Sequence, residues 1–215
     1  MQIGRVLAGL AVAAALASAA EAQVTVYDGL SYPQFKSILA TTKLGLTEQV
    51  TTRGNRFLLV MVPGWTAPFV ATSASCPAGQ DAPCDGFAFF FIDAGRSVSG
   101  SAMGKFNENN FIKMFPASET GAPVVKGDYY ARGGILDQNV LSAGAYYTSV
   151  LRAYLGSTGT SVMNAPAQVP ALTFTDASQP QKFFAALASR GAPKPAPAGA
   201  KTAAMEAMVD ALVAK

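Results

Sequence analysis

The chain has 215 residues, 50% of them hydrophobic and 10% aromatic, which suffices for a packed core and excludes wholesale disorder. Sixteen basic and 13 acidic residues leave a net charge of only +3, without the clustered Lys and Arg that nucleic acid binding needs. Histidine is absent, which removes Ser-His-Asp and Cys-His catalysis, His-ligated zinc or haem, and the usual switch near neutral pH.

The N-terminus carries one cation at Arg5, an apolar run Val6–Ala17, and small residues ending in Ala20-Glu21-Ala22. This predicts a secretory signal peptide over residues 1–22, a mature start at Gln23, and a periplasmic or secreted location. The apolar run falls well short of the ~20 residues a membrane span needs, so no transmembrane span is expected after cleavage. Cys76 and Cys84 bracket a short Pro/Gly-containing loop. In an oxidising compartment this pair is predicted to form a disulfide, worth roughly 2–3 kcal/mol on the chain-entropy argument. Two cysteines alone do not hold zinc, and no metal or other cofactor is expected.

Ser31-Tyr32-Pro33-Gln34 has the pattern of a capping box with proline in the first turn. It predicts a helix with Phe35, Ile38 and Leu39 on one face, ended by Gly45. Leu46–Arg53 and Arg56–Val62 then form a hairpin through a two-residue Gly54-Asn55 turn. Phe69–Ser73 is a third strand, and Gly86–Asp93 is apolar at nearly every position, the pattern of a central strand buried on both faces. Ser101–Phe115 is expected to be helical, with Met103, Phe106, Ile112 and Phe115 as its apolar positions. Pro123–Arg132 is a further strand. The long helix Asp137–Leu155 has Asp137 as cap, Leu136 and Leu141 as staple, and Gly156 as stop. Its buried stripe is Val140, Tyr147, Val150, Leu151, Tyr154 and Leu155.

Helices and strands do not alternate strictly, so the expected class is α+β, an antiparallel sheet with helices on one face, over residues 23–157. Beyond it, residues 158–190 read as a loop and a short helix with a second capping box, Ser178–Gln181, carrying Phe183, Phe184 and Leu187. Residues 191–201 are a Pro/Ala linker. Residues 202–215 form an amphipathic helix, with Met205, Met208, Val209, Leu212 and Val213 on one side and Glu206 and Asp210 on the other.

From about Tyr27 to Gly156 the order of features resembles the YbjN domain family, described as bacterial sensory transduction regulators. A leading helix is followed by a strand pair and a Cys-containing turn before an aromatic-rich strand. Next comes Asn107-Glu108-Asn109-Asn110, similar to the family's N-E-W-N, then a strand, the Gly133-Gly134 turn and a long closing helix. The family's Trp is Asn109 here, and the Arg that usually follows its second Asn by four residues is Met114. The resemblance implies a fold similar to type III secretion chaperones, and a binding or regulatory module without a catalytic centre.

Candidate interaction residues follow from these readings. Asn107, Glu108 and Asn110 either form a recognition surface or bond neighbouring backbone and fix their helix on the sheet. Trp65, the only tryptophan, is either an exposed anchor or packs under its loop. Tyr129, Tyr130, Tyr146, Tyr147 and Tyr154 either line a groove or stand at the edge of the core with wet hydroxyls. Asp81, Asp85 and Asp93 lack calcium-loop spacing and read as solvated charges. Ser101 and Lys105 miss the S-x-x-K spacing of a Ser–Lys pair by one residue. The C-terminal helix, with Met205, Met208 and Leu212, is too short to stand alone and needs its own domain, a partner groove or a membrane surface to pack on. Its acidic face argues against anionic lipid, which leaves at most weak membrane-surface contact. The expected function is an exported, non-catalytic protein-binding module, regulatory or chaperone-like, with another protein as partner. The alternative is a periplasmic small-ligand or lipid carrier, with an apolar pocket under the helices lined by Phe89–Phe91 and the tyrosines.

Overall fold

The computed structural model describes residues 25–156, apart from Thr66 and Glu119, and residues 203–214. The leader expected over 1–22, the extension over 158–190 and the linker over 191–201 lie outside the described residues. Among the described residues twelve elements follow in chain order: β1 Val26–Tyr27, α1 Tyr32–Ala40, β2 Gly45–Val50, β3 Arg56–Met61, β4 Phe69–Ala74, β5 Gly86–Ile92, α2 Gly100–Asn109, β6 Lys113–Pro116, β7 Pro123–Tyr130, β8 Ile135–Leu136, α3 Asp137–Leu155 and α4 Ala203–Val213. Six strands form one antiparallel sheet in the order β2-β3-β4-β5-β7-β6, and β1 pairs with β8 in a separate two-stranded ribbon.

The near-continuous apolar sequence of β5 makes it central, between β4 and β7. Its side chains alternate between two cores, as a period of two requires. Phe87, Phe89 and Phe91 enter one core with Phe35 of α1 and Tyr147 of α3. Ala88 and Phe90 enter the other with Val209, Leu212 and Val213 of α4. The sheet is therefore covered on both faces. This corrects the one-sided arrangement expected from the sequence, because the C-terminal helix supplies the second cover. Gly86 lets β5 approach β7 closely, since a Cβ there would collide with the Tyr129 carbonyl oxygen.

Helix α1 begins as expected: the Ser31 hydroxyl accepts from Gln34 N and the Gln34 side chain returns a bond to the Ser31 backbone. It ends at Ala40, and Gly45 is the first residue of β2 instead of the helix stop. In the hairpin Val50 pairs with Arg56, so the turn is the longer Thr51–Asn55 loop instead of a two-residue Gly-Asn turn. Helix α3 has the expected bounds and stripe, but Leu136 is its N-cap and Asp137 makes only a local bond to Gln138 N. The staple positions move back accordingly, to Ile135 and Val140, both in the core.

The largest difference lies in Ser101–Phe115. Helix α2 ends at Asn109, and Lys113–Pro116 is the edge strand β6. Three asparagines cause the stop, since short amides compete with helical hydrogen bonding. Asn109 and Asn110 donate from Nδ2 to the carbonyls of Lys105 and Phe106, each at 2.9 Å. Lys113 Nζ donates to the Asn107 and Asn110 carbonyls at 2.7 and 2.9 Å, a cation at a helix C-terminus.

The Phe89 ring lies 5.5–5.9 Å, centroid to centroid, from the rings of Phe35, Phe69, Phe87, Tyr129 and Tyr147. Phe89→Ala is expected to lower stability by about 3–5 kcal/mol, as large core truncations do, which urea unfolding measures directly.

Candidate functional site

Helix α4 lies over β4 and is fixed at both of its sides by polar contacts with loops. Asp210 is buried, contrary to its expected place on a solvent face. Its Oδ1 accepts from Thr51 Oγ1 at 2.7 Å and Asn55 Nδ2 at 2.8 Å, and Arg53 Nε lies 3.6 Å from Oδ2. A buried carboxylate needs such partners to offset its desolvation. One turn earlier, Glu206 Oε2 accepts from Thr52 N at 2.9 Å. The β2–β3 loop is thus held by two carboxylates spaced four apart. At the C-terminal end of the helix, Ser75 N donates to the Leu212 carbonyl at 2.8 Å and Cys76 N to the Val213 carbonyl at 3.0 Å. Both belong to the segment entering the Cys76–Cys84 disulfide, which is formed as expected.

Between α4 and the β6–β7 hairpin runs a cavity of about 240 Å³, lined chiefly by Phe115, Ala117, Lys126, Met208, Ala211 and Leu212. Ala207 and Ala211 are exposed along it, and Met205 and Met208 are half-buried. Lys126 Nζ is paired with Asp128 at 2.8 Å, which leaves the lining mainly apolar. Of the interaction residues expected on this helix, Met208 and Leu212 reach the groove. Leu212 is otherwise buried against the sheet, and Met205 packs against the same core.

The remaining candidates do not converge with it. Trp65 is buried in the core between the sheet and the α1/α3 layer. Asn107 spends its amide on the edge strand: Oδ1 accepts from Met114 N at 2.6 Å and Nδ2 donates to the Met114 carbonyl at 2.9 Å. One side chain thereby stands in for a neighbouring strand and blunts an open edge. Asn110 bonds backbone as well, whereas Glu108 is exposed. Beside them Phe111 is 92% exposed, its ring 6.5 Å from that of Tyr146.

The tyrosines scatter. Tyr147 is buried and donates to the Val125 carbonyl at 3.0 Å, and Tyr154 donates to Asp93 Oδ2 at 3.0 Å. Tyr129 faces Ala143, and Tyr130 is exposed. Asp93 is buried and paired with Arg96 at 3.1 Å, so it is no solvated loop charge. Asp81 and Asp85 lie beside Arg56 and Arg132. Among the described residues no group of three or more His, Cys, Asp or Glu is placed to hold a metal ion, and no helix is long and apolar enough to cross a membrane.

Sequence reasoning did not find the Asp210 clamp, the Ser75 and Cys76 donors or Phe111. The five-residue loop that meets Asp210 contains a Gly-Asn pair, which in a sequence is the mark of a two-residue turn. Comparison with family models, curated proteins and solved structures finds no match for this chain.

Burial raises the hydroxyl pKa of Tyr147 well above that of a free tyrosine, with a smaller contribution from Tyr129, and it also raises Tyr32, Tyr129 and Tyr154. A raised folded pKa gives stability that is complete below the unfolded value near 10 and is lost as pH climbs towards the folded one. Stability should therefore fall above about pH 10. Tyr147→Phe should cost about 1 kcal/mol at neutral pH and make that alkaline fall shallower, as urea midpoints between pH 7 and 11 would show.

Proposed function

We propose that this chain is an exported, non-catalytic protein-binding module, regulatory or chaperone-like, built on a YbjN-type domain with a type III secretion chaperone-like fold. The observation that carries the reading is the open apolar groove between α4 and the β6–β7 hairpin. It is wide enough for one or two apolar side chains of a partner, and its methionine-bearing rim adapts readily to different shapes. The antiparallel sheet, the disulfide and the sequence resemblance over residues 27–156 support the fold part of the proposal. The disulfide and the leader-like N-terminus support export.

The carrier alternative would place its ligand under α1 and α3. That volume is filled by the rings of Phe35, Phe69, Phe87, Phe89 and Tyr147. The partner groove is on the opposite face, which favours protein binding over a ligand enclosed in that core.

Ala211→Arg introduces a bulky cation into the groove from an exposed helix position, so the fold should be retained. Crosslinking in the periplasm with wild type and variant tests the reading. Loss of the captured protein in the variant, with an unchanged melting temperature, is the expected result. Equal capture by both proteins, or co-purified lipid in place of a protein, would contradict it.

A further inference from the structure

Helix α4 and the disulfide loop are parts of one apolar cluster. Cys76 and Cys84 pack with Val209, Leu212 and Val213, and the two cysteines are only 6% and 0% exposed. The backbone adds direction to this contact. The carbonyls of Leu212 and Val213 are among those a helix leaves without intrahelical partners at its C-terminus. Ser75 and Cys76 satisfy them through consecutive N–H groups. Ser75 stands at φ 54°, a left-handed conformation costly for any residue but glycine. The ring closed at Cys76–Cys84, together with the bond from Asp85 N to the Ser75 carbonyl at 2.8 Å, holds it there.

The same loop touches the rest of the domain, through Leu30 N to the Cys84 carbonyl and Tyr32 N to the Gln80 carbonyl. Those contacts are backed by the large core under α1, which includes Leu30, Tyr32, Phe35 and Leu39. Helix α4 has less to fall back on: the buried side chains of Ala204, Val209, Leu212 and Val213, the half-buried Met205 and Met208, and the carboxylate clamp on Thr51–Asn55.

We propose that the Cys76–Cys84 disulfide is the latch of the C-terminal helix. With the bond intact, Ser75 and Cys76 hold the end of α4. On reduction α4 undocks and uncovers the sheet face formed by Phe57, Val70, Phe90 and Val124. The reductant is a dithiol. One of its thiolates attacks a protein sulfur, the other protein sulfur leaves as thiolate, and the second thiol of the reductant resolves the mixed disulfide. The protein is left with two thiols and the reductant with a disulfide. Coupling between two sites is reciprocal, so docked α4 must in turn shield the disulfide from reduction. This device operates whatever partner the groove takes.

Amide hydrogen exchange on the full oxidised chain, and on the same chain reduced with dithiothreitol, provides the test. Amides of residues 203–213 should exchange at least about tenfold faster after reduction, within the usual range of inter-site coupling, while those of β5 keep their protection. In the oxidised protein, Asp210→Ala should speed reduction by dithiothreitol at least about fivefold, by loosening the helix from the β2–β3 loop. Unchanged protection of α4 on reduction would overturn the proposal. So would loss of protection in α4 and β5 together, or reduction of the Asp210→Ala variant at the wild-type rate.

Discussion

Strand β5 carries large apolar side chains on both of its faces, and leaving either face in water is costly. Phe87, Phe89 and Phe91 require one cover and Phe90 another. Helices α1 and α3 close the first side. They are close in sequence to the sheet and bring their own aromatic stripe, with Phe35 and Tyr147 meeting Phe89. The second side is closed from the far end of the chain by α4. Leaving Phe57, Val70, Phe90 and Val124 in water would cost about 1.5–3 kcal/mol for each large side chain, so the C-terminal helix belongs to the fold and is no mere appendage.

The polar contacts of α4 follow from the same requirement. An 11-residue helix is marginal in isolation, and its ends present unsatisfied backbone groups. Asp210 and Glu206 tie it to the β2–β3 loop, while the disulfide loop supplies the donors for its last carbonyls. The Cys76–Cys84 segment thus links three regions distant in sequence: the start of α1, the sheet and the end of α4. Local stapling of a nine-residue stretch by a disulfide acquires a long-range consequence through these hydrogen bonds.

Much of this was legible in the sequence because it depends on local pattern. The Ser31–Gln34 capping box, the apolar run of β5, the stripe of α3 and the bounds of α4 are each written within a few residues. Features set by distant contacts were not legible. Asp210 reads as a solvent-facing acid on a helical wheel, and only the proximity of Thr51 and Asn55 makes its burial favourable. The end of α2 was legible in principle, because Asn107, Asn109 and Asn110 are poor helix residues. The apolar spacing of Ile112 and Phe115 masked that signal by mimicking one more helical turn. Of the residues expected to form an interaction surface, Trp65 and Asn107 are spent on packing and edge protection, and Met208 and Leu212 reach the open groove.

The most direct test of the account is the urea unfolding midpoint of the chain ending at residue 202 against that of the full chain. Trp65 fluorescence is the probe, since this sole tryptophan is buried on the side of the sheet away from α4. Loss of the buried Ala204, Val209, Leu212 and Val213 side chains should lower stability by at least about 3 kcal/mol while the shorter chain stays folded. An unchanged midpoint would contradict the claim that β5 needs the C-terminal helix as its second cover.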